Sequence, residues 1–301
     1  MTKKNILITG ATGLIGSALI KNLSEQGFNC ITLTRSVVND RPKTFKWNPE
    51  LQICDMLPHI EYYAVINLAG ASIVDTKWNK EGKDQISFSR IDSTTYLKRI
   101  IDTFPHPPKH FISASAIGYY GFENDEIKTE DSLSGNDFAA VVCHDWELAA
   151  SNLKTIETQL TIIRIGIVLA QKGGFYKKME TLAKNKIAAP LASGQQPVCW
   201  IHIDDLINLF IDILNNKISP GTYNAVANTN TNKEVTKLIA SKNGQPILLP
   251  AVPASLLKIL YGKKMELFTK GSIVSNSKLL KEGFQFQYSD LENAVSDLAY
   301  G

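Results

Sequence analysis

Between a short apolar run, Ile6-Leu7-Ile8, and a stretch whose Ala18, Leu19 and Leu23 recur at helical spacing stands Gly10-Ala11-Thr12-Gly13-Leu14-Ile15-Gly16. No other feature constrains the chain as much. Side chains at those glycines would block a tight turn, the approach of a ligand to the backbone and the packing of helix on strand. The helix N-terminus that follows has N–H donors without intrahelical partners, a ready site for phosphate oxygens. A purely structural glycine turn is the alternative; the position directly after the first strand favours a dinucleotide.

Cys30-Ile31-Thr32-Leu33 reads as a second strand and completes a βαβ unit. Strand-like runs at Ala64–Leu68, His110–Ser113 and Leu160–Arg164 alternate with helical stretches ending near Phe104 and covering Asp137 to Asn152. This rhythm predicts an α/β fold, a Rossmann-type doubly wound parallel sheet. After Leu169 it changes, with a turn at Lys172-Gly173-Gly174 and a polar loop from Ala192 to Pro197. Strands at Val198–Ile203 and Tyr223–Ala227, around a helix at Leu206, then return to the sheet. The expected division is residues 1–170 plus 198–228 for the Rossmann domain and 171–197 plus 229–301 for a smaller, discontinuous C-terminal substrate domain. In the tail, Leu256–Leu260 reads as a short helix and the alternating Phe284-Gln285-Phe286-Gln287-Tyr288 as a strand.

A net charge of +3 without a basic block argues against a nucleic-acid partner. The longest apolar stretch, Leu206 to Leu214, is interrupted by Asn208 and Asp212 and falls short of the roughly 20 residues that span a bilayer, so no membrane partner is expected. The polar start, Met1 to Asn5, does not read as a secretory leader. Four cysteines far apart in sequence suggest neither a zinc site nor a disulfide framework, and a cytoplasmic location fits them. His202 before Asp204-Asp205 reads as the opening of a helix with an acidic N-cap, and no metal is assigned.

The second strand ends in Thr34-Arg35-Ser36, where a carboxylate would be needed to hold the ribose hydroxyls of NAD(H). Arg35 is suited instead to a 2′-phosphate, with Ser36 adding a hydroxyl, which points to NADP(H) rather than NAD(H). A solvated arginine after a strand is the plainer alternative.

These motifs, with Asn67-Leu68-Ala69-Gly70 and Ser113-Ala114-Ser115, resemble the extended short-chain dehydrogenase/reductase superfamily. Arg164 and Trp200-Ile201-His202-Ile203-Asp204-Asp205 resemble later landmarks of its epimerase/dehydratase branch. Ser89-Arg90-Ile91-Asp92, Ile117-Gly118-Tyr119-Tyr120-Gly121 and Cys143-His144-Asp145-Trp146-Glu147 are similar to an atypical "epimerase family protein" subgroup. The resemblance implies that Leu68, Ala69, Gly70 and Arg164 join Gly10, Thr12, Gly13, Leu14, Ile15, Gly16, Arg35 and Ser36 around the cofactor.

It also implies a Ser that polarises a substrate carbonyl and a Tyr four residues before a Lys that exchange a proton and hold the nicotinamide ribose. Ser115 takes the first place; Ala139 and Cys143 stand where Tyr and Lys belong. Neither replacement does that chemistry, since alanine does not titrate and a thiol is too short to reach the ribose as an ammonium would. Cys143 shares an apolar helical stripe with Ala139, Val142, Trp146 and Ala150, which makes packing the rival of reactivity. Tyr119 and Tyr120 are the nearest proton donors in sequence, with aromatic packing as their rival reading. The resemblance puts Arg90 in place of an active-site Asn, and the spacing of Lys83, Arg90 and Thr94 predicts one helix face. A guanidinium facing a pocket there suits an anionic substrate group; an exposed arginine on a polar face is the alternative.

Together these readings predict an NADP(H)-dependent oxidoreductase or epimerase-like enzyme, a monomer or homodimer, acting on a small carbonyl or hydroxyl substrate. A catalytically silent NADPH-binding sensor is the rival.

Overall fold

The computed structural model describes residues 4–35, 43–55, 60–122, 126–153, 157–247 and 249–300. Its larger sheet is built from β1 (Asn5–Thr9), β2 (Asn29–Thr34), β3 (Thr44–Asn48), β4 (Ile53–Cys54), β5 (Ala64–Asn67), β6 (His110–Ala116), β7 (Gln159–Ile165) and β10 (Thr222–Ala225). The order across it is β10-β7-β6-β5-β1-β2-β3-β4. The central pairs β6/β5, β5/β1, β1/β2 and β2/β3 are parallel, and the β4 edge is antiparallel. Order reverses on either side of β1, as in doubly wound folds, which places the loop after β1 at the switch point.

Helices α1 (Leu14–Glu25), α2 (Lys80–Phe88), α3 (Ile91–Ile101) and α4 (Phe138–Ser151) connect these strands. The strands read as near-continuous apolar runs because both sheet faces are covered. Leu7, Ile31, Leu33, Val65 and Phe111 pack with Leu97, Ile100, Phe104, Ala150 and Leu153 in one buried cluster.

A second sheet has the order β11-β9-β8, from β8 (Ile167–Ala170), β9 (Pro197–His202) and β11 (Asn228–Thr231). The remaining helices are α5 (Gly174–Lys184), α6 (Ile203–Leu214), α7 (Asn232–Lys242), α8 (Ala254–Tyr261), α9 (Glu266–Thr269), α10 (Ser277–Lys281) and α11 (Leu291–Tyr300). No helix among the described residues is long and apolar enough to cross a membrane. The compact units have limits other than the sequence division. One comprises Met1–Ala116, Val141–Arg164 and Ile207–Tyr223, the other Ile117–Ala140, Ile165–Leu206 and Asn224–Gly301. Thus β8 and β9 belong to the second unit, where β9 pairs with β8 on one side and β11 on the other.

Two further expectations change. Phe284 to Tyr288 is not a strand. Alternate residues are buried, but the Gln287 and Tyr288 amides donate to the Asp205 carboxylate at 2.7 and 3.0 Å, where a strand would need a neighbour. Asp205 is correspondingly no N-cap, because α6 starts at Ile203. The helix expected through Lys83, Arg90 and Thr94 breaks, with Arg90 standing as the N-cap of α3. The three residues therefore do not form one face.

His110, buried at the start of β6, lies at the end of the sheet remote from the glycine loop. Its Nε2 contacts the Tyr63 hydroxyl at 3.2 Å, and that hydroxyl donates to the Leu214 carbonyl. Burial pushes the imidazole down to about 4, with Lys109 and Lys4 adding to the fall. An unfolded histidine takes up its proton near pH 6.5, so between about pH 6.5 and 4 the unfolded chain binds more protons than the folded one. This contribution is complete above pH 6.5 and is lost as pH falls, with a ceiling of about 3 kcal/mol. Urea midpoints measured across that window should fall with pH, and His110→Gln should flatten the slope; an unchanged slope would refute the assignment.

Candidate active site

Gly10 adopts φ +66°, and a Cβ there would collide with the Leu68 carbonyl oxygen at the end of β5. A Cβ on Gly16 would collide with the Gly10 carbonyl. Both glycines are thus imposed by backbone packing. The Gly13 amide closes the turn onto the Gly10 carbonyl at 3.0 Å. Gly13 is the N-cap of α1, with no side-chain cap and no acidic residue in the first turn. Leu14 and Ile15 form that first turn, and its amides remain available for an anion.

A cavity of about 340 Å³ opens over this loop. Gly10, Ala11, Thr12 and Gly13 form its floor, and Leu68, Ala69, Gly70 and Ala71 its β5 side. Arg35 stands at its β2 side with no carboxylate among the described residues at that strand end, while Ser36 lies outside the described residues. Sequence reading missed the contribution of β3 and its turn: Trp47, Asn48, Pro49 and Glu50 also line the cavity. The alternation in Thr-Phe-Lys-Trp-Asn was the available signal. The tight glycine turn, the uncapped helix and a cation fit the phosphates of a dinucleotide.

Polar side chains brace the floor. The Thr9 hydroxyl donates to Asn67 Oδ1 at 2.7 Å, and Asn67 Nδ2 donates to the Thr94 hydroxyl at 2.8 Å. Trp146 Nε1 donates to the same hydroxyl from α4 at 3.2 Å. These buried contacts join β1, β5, α3 and α4, and the Ala71 amide is held by Ser89 Oγ at 2.8 Å.

Ser115 is 3% exposed near the end of β6, and its hydroxyl donates to Glu147 Oε1 at 2.6 Å. Arg164 Nε and Nη2 hold the same carboxylate in a fork, at 2.9 and 2.8 Å. Arg164 is buried against Glu147 and does not line the cofactor cavity. A carboxylate so paired is an acceptor, so Ser115 spends its only proton on it and presents lone pairs to any ligand. Glu147 was absent from the expected site residues, although its place four residues beyond Cys143 on an apolar helix was visible.

Cys143 is 6% exposed within the apolar stripe, alongside Ala139, Val142, Trp146 and Ala150. Tyr120 belongs to the second unit, where its buried hydroxyl donates to Asn224 Oδ1 at 2.7 Å and so is committed within the fold. Tyr119 is half-buried, its ring edge-on to Tyr120 at 5.4 Å.

In the same unit His202, Asp204 and Asp297 place ligand-type atoms within 4.8 Å of one another. The Asp204 amide donates to His202 Nδ1 at 3.3 Å, so the neutral ring carries its proton on Nε2, 3.4 Å from Asp297 Oδ2.

Arg90 is half-buried, with its guanidinium over the Trp146 ring, Cζ 5.3 Å from the centroid. Nη1 donates to the Ile86 carbonyl at 3.2 Å, and no carboxylate among the described residues pairs with it. Burial lowers its pKa, and the Cys143 thiol opposes that shift.

Glu147→Gln removes the counter-charge of a buried guanidinium and should cost about 3–5 kcal/mol in urea denaturation. Adding Arg164→Met should recover much of that loss. Unaltered stability in the single variant would contradict the buried pair.

Residues 6–225 match the model of the NAD dependent epimerase/dehydratase family, and residues 252–298 match a domain of unknown function, DUF1731. The chain is 33% identical over 302 residues to an Arabidopsis thaliana protein described as an epimerase family protein SDR39U1 homolog, chloroplastic, covering 98% of this chain and 86% of that one. It is also 33% identical to the epimerase family protein YfhF of Bacillus subtilis, over 98% and 97% of the two chains. The crystal structure of human epimerase family protein SDR39U1 with NADPH superposes with a TM-score of 0.89 at 28% identity, covering 98% of this chain and 99% of that one. This chain therefore belongs to the NAD dependent epimerase/dehydratase family, with a C-terminal DUF1731 segment, and is similar over nearly its full length to proteins described as epimerase family proteins.

Proposed function

We propose that this chain binds NADP(H) in the cavity above the glycine loop and uses it in oxidoreductase or epimerase-like chemistry on a small hydroxyl or carbonyl substrate. The observation that carries the reading is Arg35 in the cavity wall at the end of β2, with no carboxylate among the described residues at that strand end and Glu50 entering the cavity only from the turn after β3. The NADPH in the human relative's crystal structure supports it. Gly10, Thr12, Gly13 and the first turn of α1 would hold the pyrophosphate, and Arg35 the 2′-phosphate. When bound, the nicotinamide supplies a hydride donor or acceptor.

Ser115 contributes orientation. With its proton on Glu147, it accepts a hydrogen bond from a substrate hydroxyl, and the Arg164 fork keeps Glu147 in place. Holding reactants in line accelerates hydride transfer even where the usual Tyr and Lys are replaced by Ala139 and Cys143. Those replacements also favour a second reading, a sensor that binds NADPH without turnover.

Titration of Arg35→Ala should show NADPH weakened by about 10- to 100-fold, with NADH changed far less; equal losses would remove the case for NADP(H). Wild type and Ser115→Ala should then be assayed for NADPH oxidation and NADP⁺ reduction against varied carbonyl and hydroxyl compounds. Turnover abolished by the substitution supports the enzyme, whereas silence across the panel alongside tight NADPH binding supports the sensor.

A further inference from the structure

Arg35 lines the cavity on its β2 side, and Arg90 packs against Gly70, which lines it on the β5 side. In the sheet order β5-β1-β2-β3, the glycine loop after β1 lies between them, with Arg35 following β2 and Gly70 following β5. Gly70 is where Arg90 comes to the wall. A Cβ on Gly70 would lie 3.1 Å from Arg90 Cζ, 3.3 Å from Nη2 and 3.4 Å from Nε, so the guanidinium occupies the space directly behind that glycine. Ser89 and Ser93, immediately before Arg90 and one turn after it, line the same cavity.

Resting on the reading of this cavity as a dinucleotide site, we propose that Arg90 is a cofactor-binding residue for the nicotinamide-side ribose, at the end of the ligand remote from Arg35. This assigns Arg90 to the cofactor in place of an anionic substrate group.

The chemistry suits the place. Of the five N–H donors of a guanidinium, one is directed to the Ile86 carbonyl. Trp146 lies under the guanidinium and fixes its plane, as cation–π contact does for arginine. No carboxylate among the described residues neutralises it. A half-buried cation with unused donors, packed behind a cavity-lining glycine, suits oxygen acceptors such as ribose hydroxyls. Trp146 is also one helical turn from Cys143, the position at which the resembled superfamily has the lysine that holds this ribose. Arg90 thus brings a cation from the α2–α3 junction to a region where α4 has lost one.

The test uses two ligands that share the adenosine half, NADPH and 2′,5′-ADP, titrated calorimetrically into the full chain and its Arg90→Ala and Arg90→Met variants. Arg90→Met keeps an unbranched stem over Trp146 and removes only the charge and donors. Both variants should bind NADPH about tenfold or more weakly while retaining 2′,5′-ADP affinity within about twofold. That retained affinity also certifies the fold. Should Arg90→Met bind both ligands as wild type does, or lose both equally, Arg90 is not a nicotinamide-side contact and the inference falls while the cofactor reading stands. A wild-type chain that binds neither ligand brings down both.

Discussion

The site depends on a backbone contact that admits no Cβ. Gly16 packs its Cα against the Gly10 carbonyl, and Gly10 turns under the end of β5 at Leu68. That contact sets the distance from α1 to the sheet and aims the helix N-terminus into the cavity. The cavity is arranged around it, with amides at the centre, Arg35 on the β2 side and Gly70, backed by Arg90, on the β5 side. The Thr9, Asn67, Thr94 and Trp146 contacts hold the surrounding elements through side chains that pair with one another in the interior.

A second constraint is electrostatic. A carboxylate and a guanidinium buried side by side must satisfy each other, and Glu147 with Arg164 does so in a two-armed pair. The remaining capacity of Glu147 then fixes the Ser115 proton. What resembles a carbonyl-polarising serine in sequence becomes, through its neighbours, an acceptor. Hydrogen-bond direction separates these roles, and it is a property of the network rather than of the residue.

Much of the fold was legible because strand and helix periods alternate cleanly from Ile6 to Arg164 and the glycine loop sits at its required junction. The failures have local physical causes. Phe284 to Tyr288 alternates in burial without a strand to pair with, since Asp205 takes its amides. The face drawn through Lys83, Arg90 and Thr94 assumed one helix where there are two. Trp47 to Glu50 escaped notice because a five-residue strand and its turn carry little pattern, and Glu147 because its partners lie 32 and 17 residues away. Contacts that join distant segments leave no periodic trace.

The central claim is that the N-terminal cavity is an NADP(H) site chosen by charge at the end of β2. Native mass spectrometry of the full wild-type chain, incubated with equal concentrations of NADPH and NADH, tests it most directly. The account predicts one bound NADPH per chain with NADH in small minority. Equal occupancy by the two, or a preference for NADH, would contradict it.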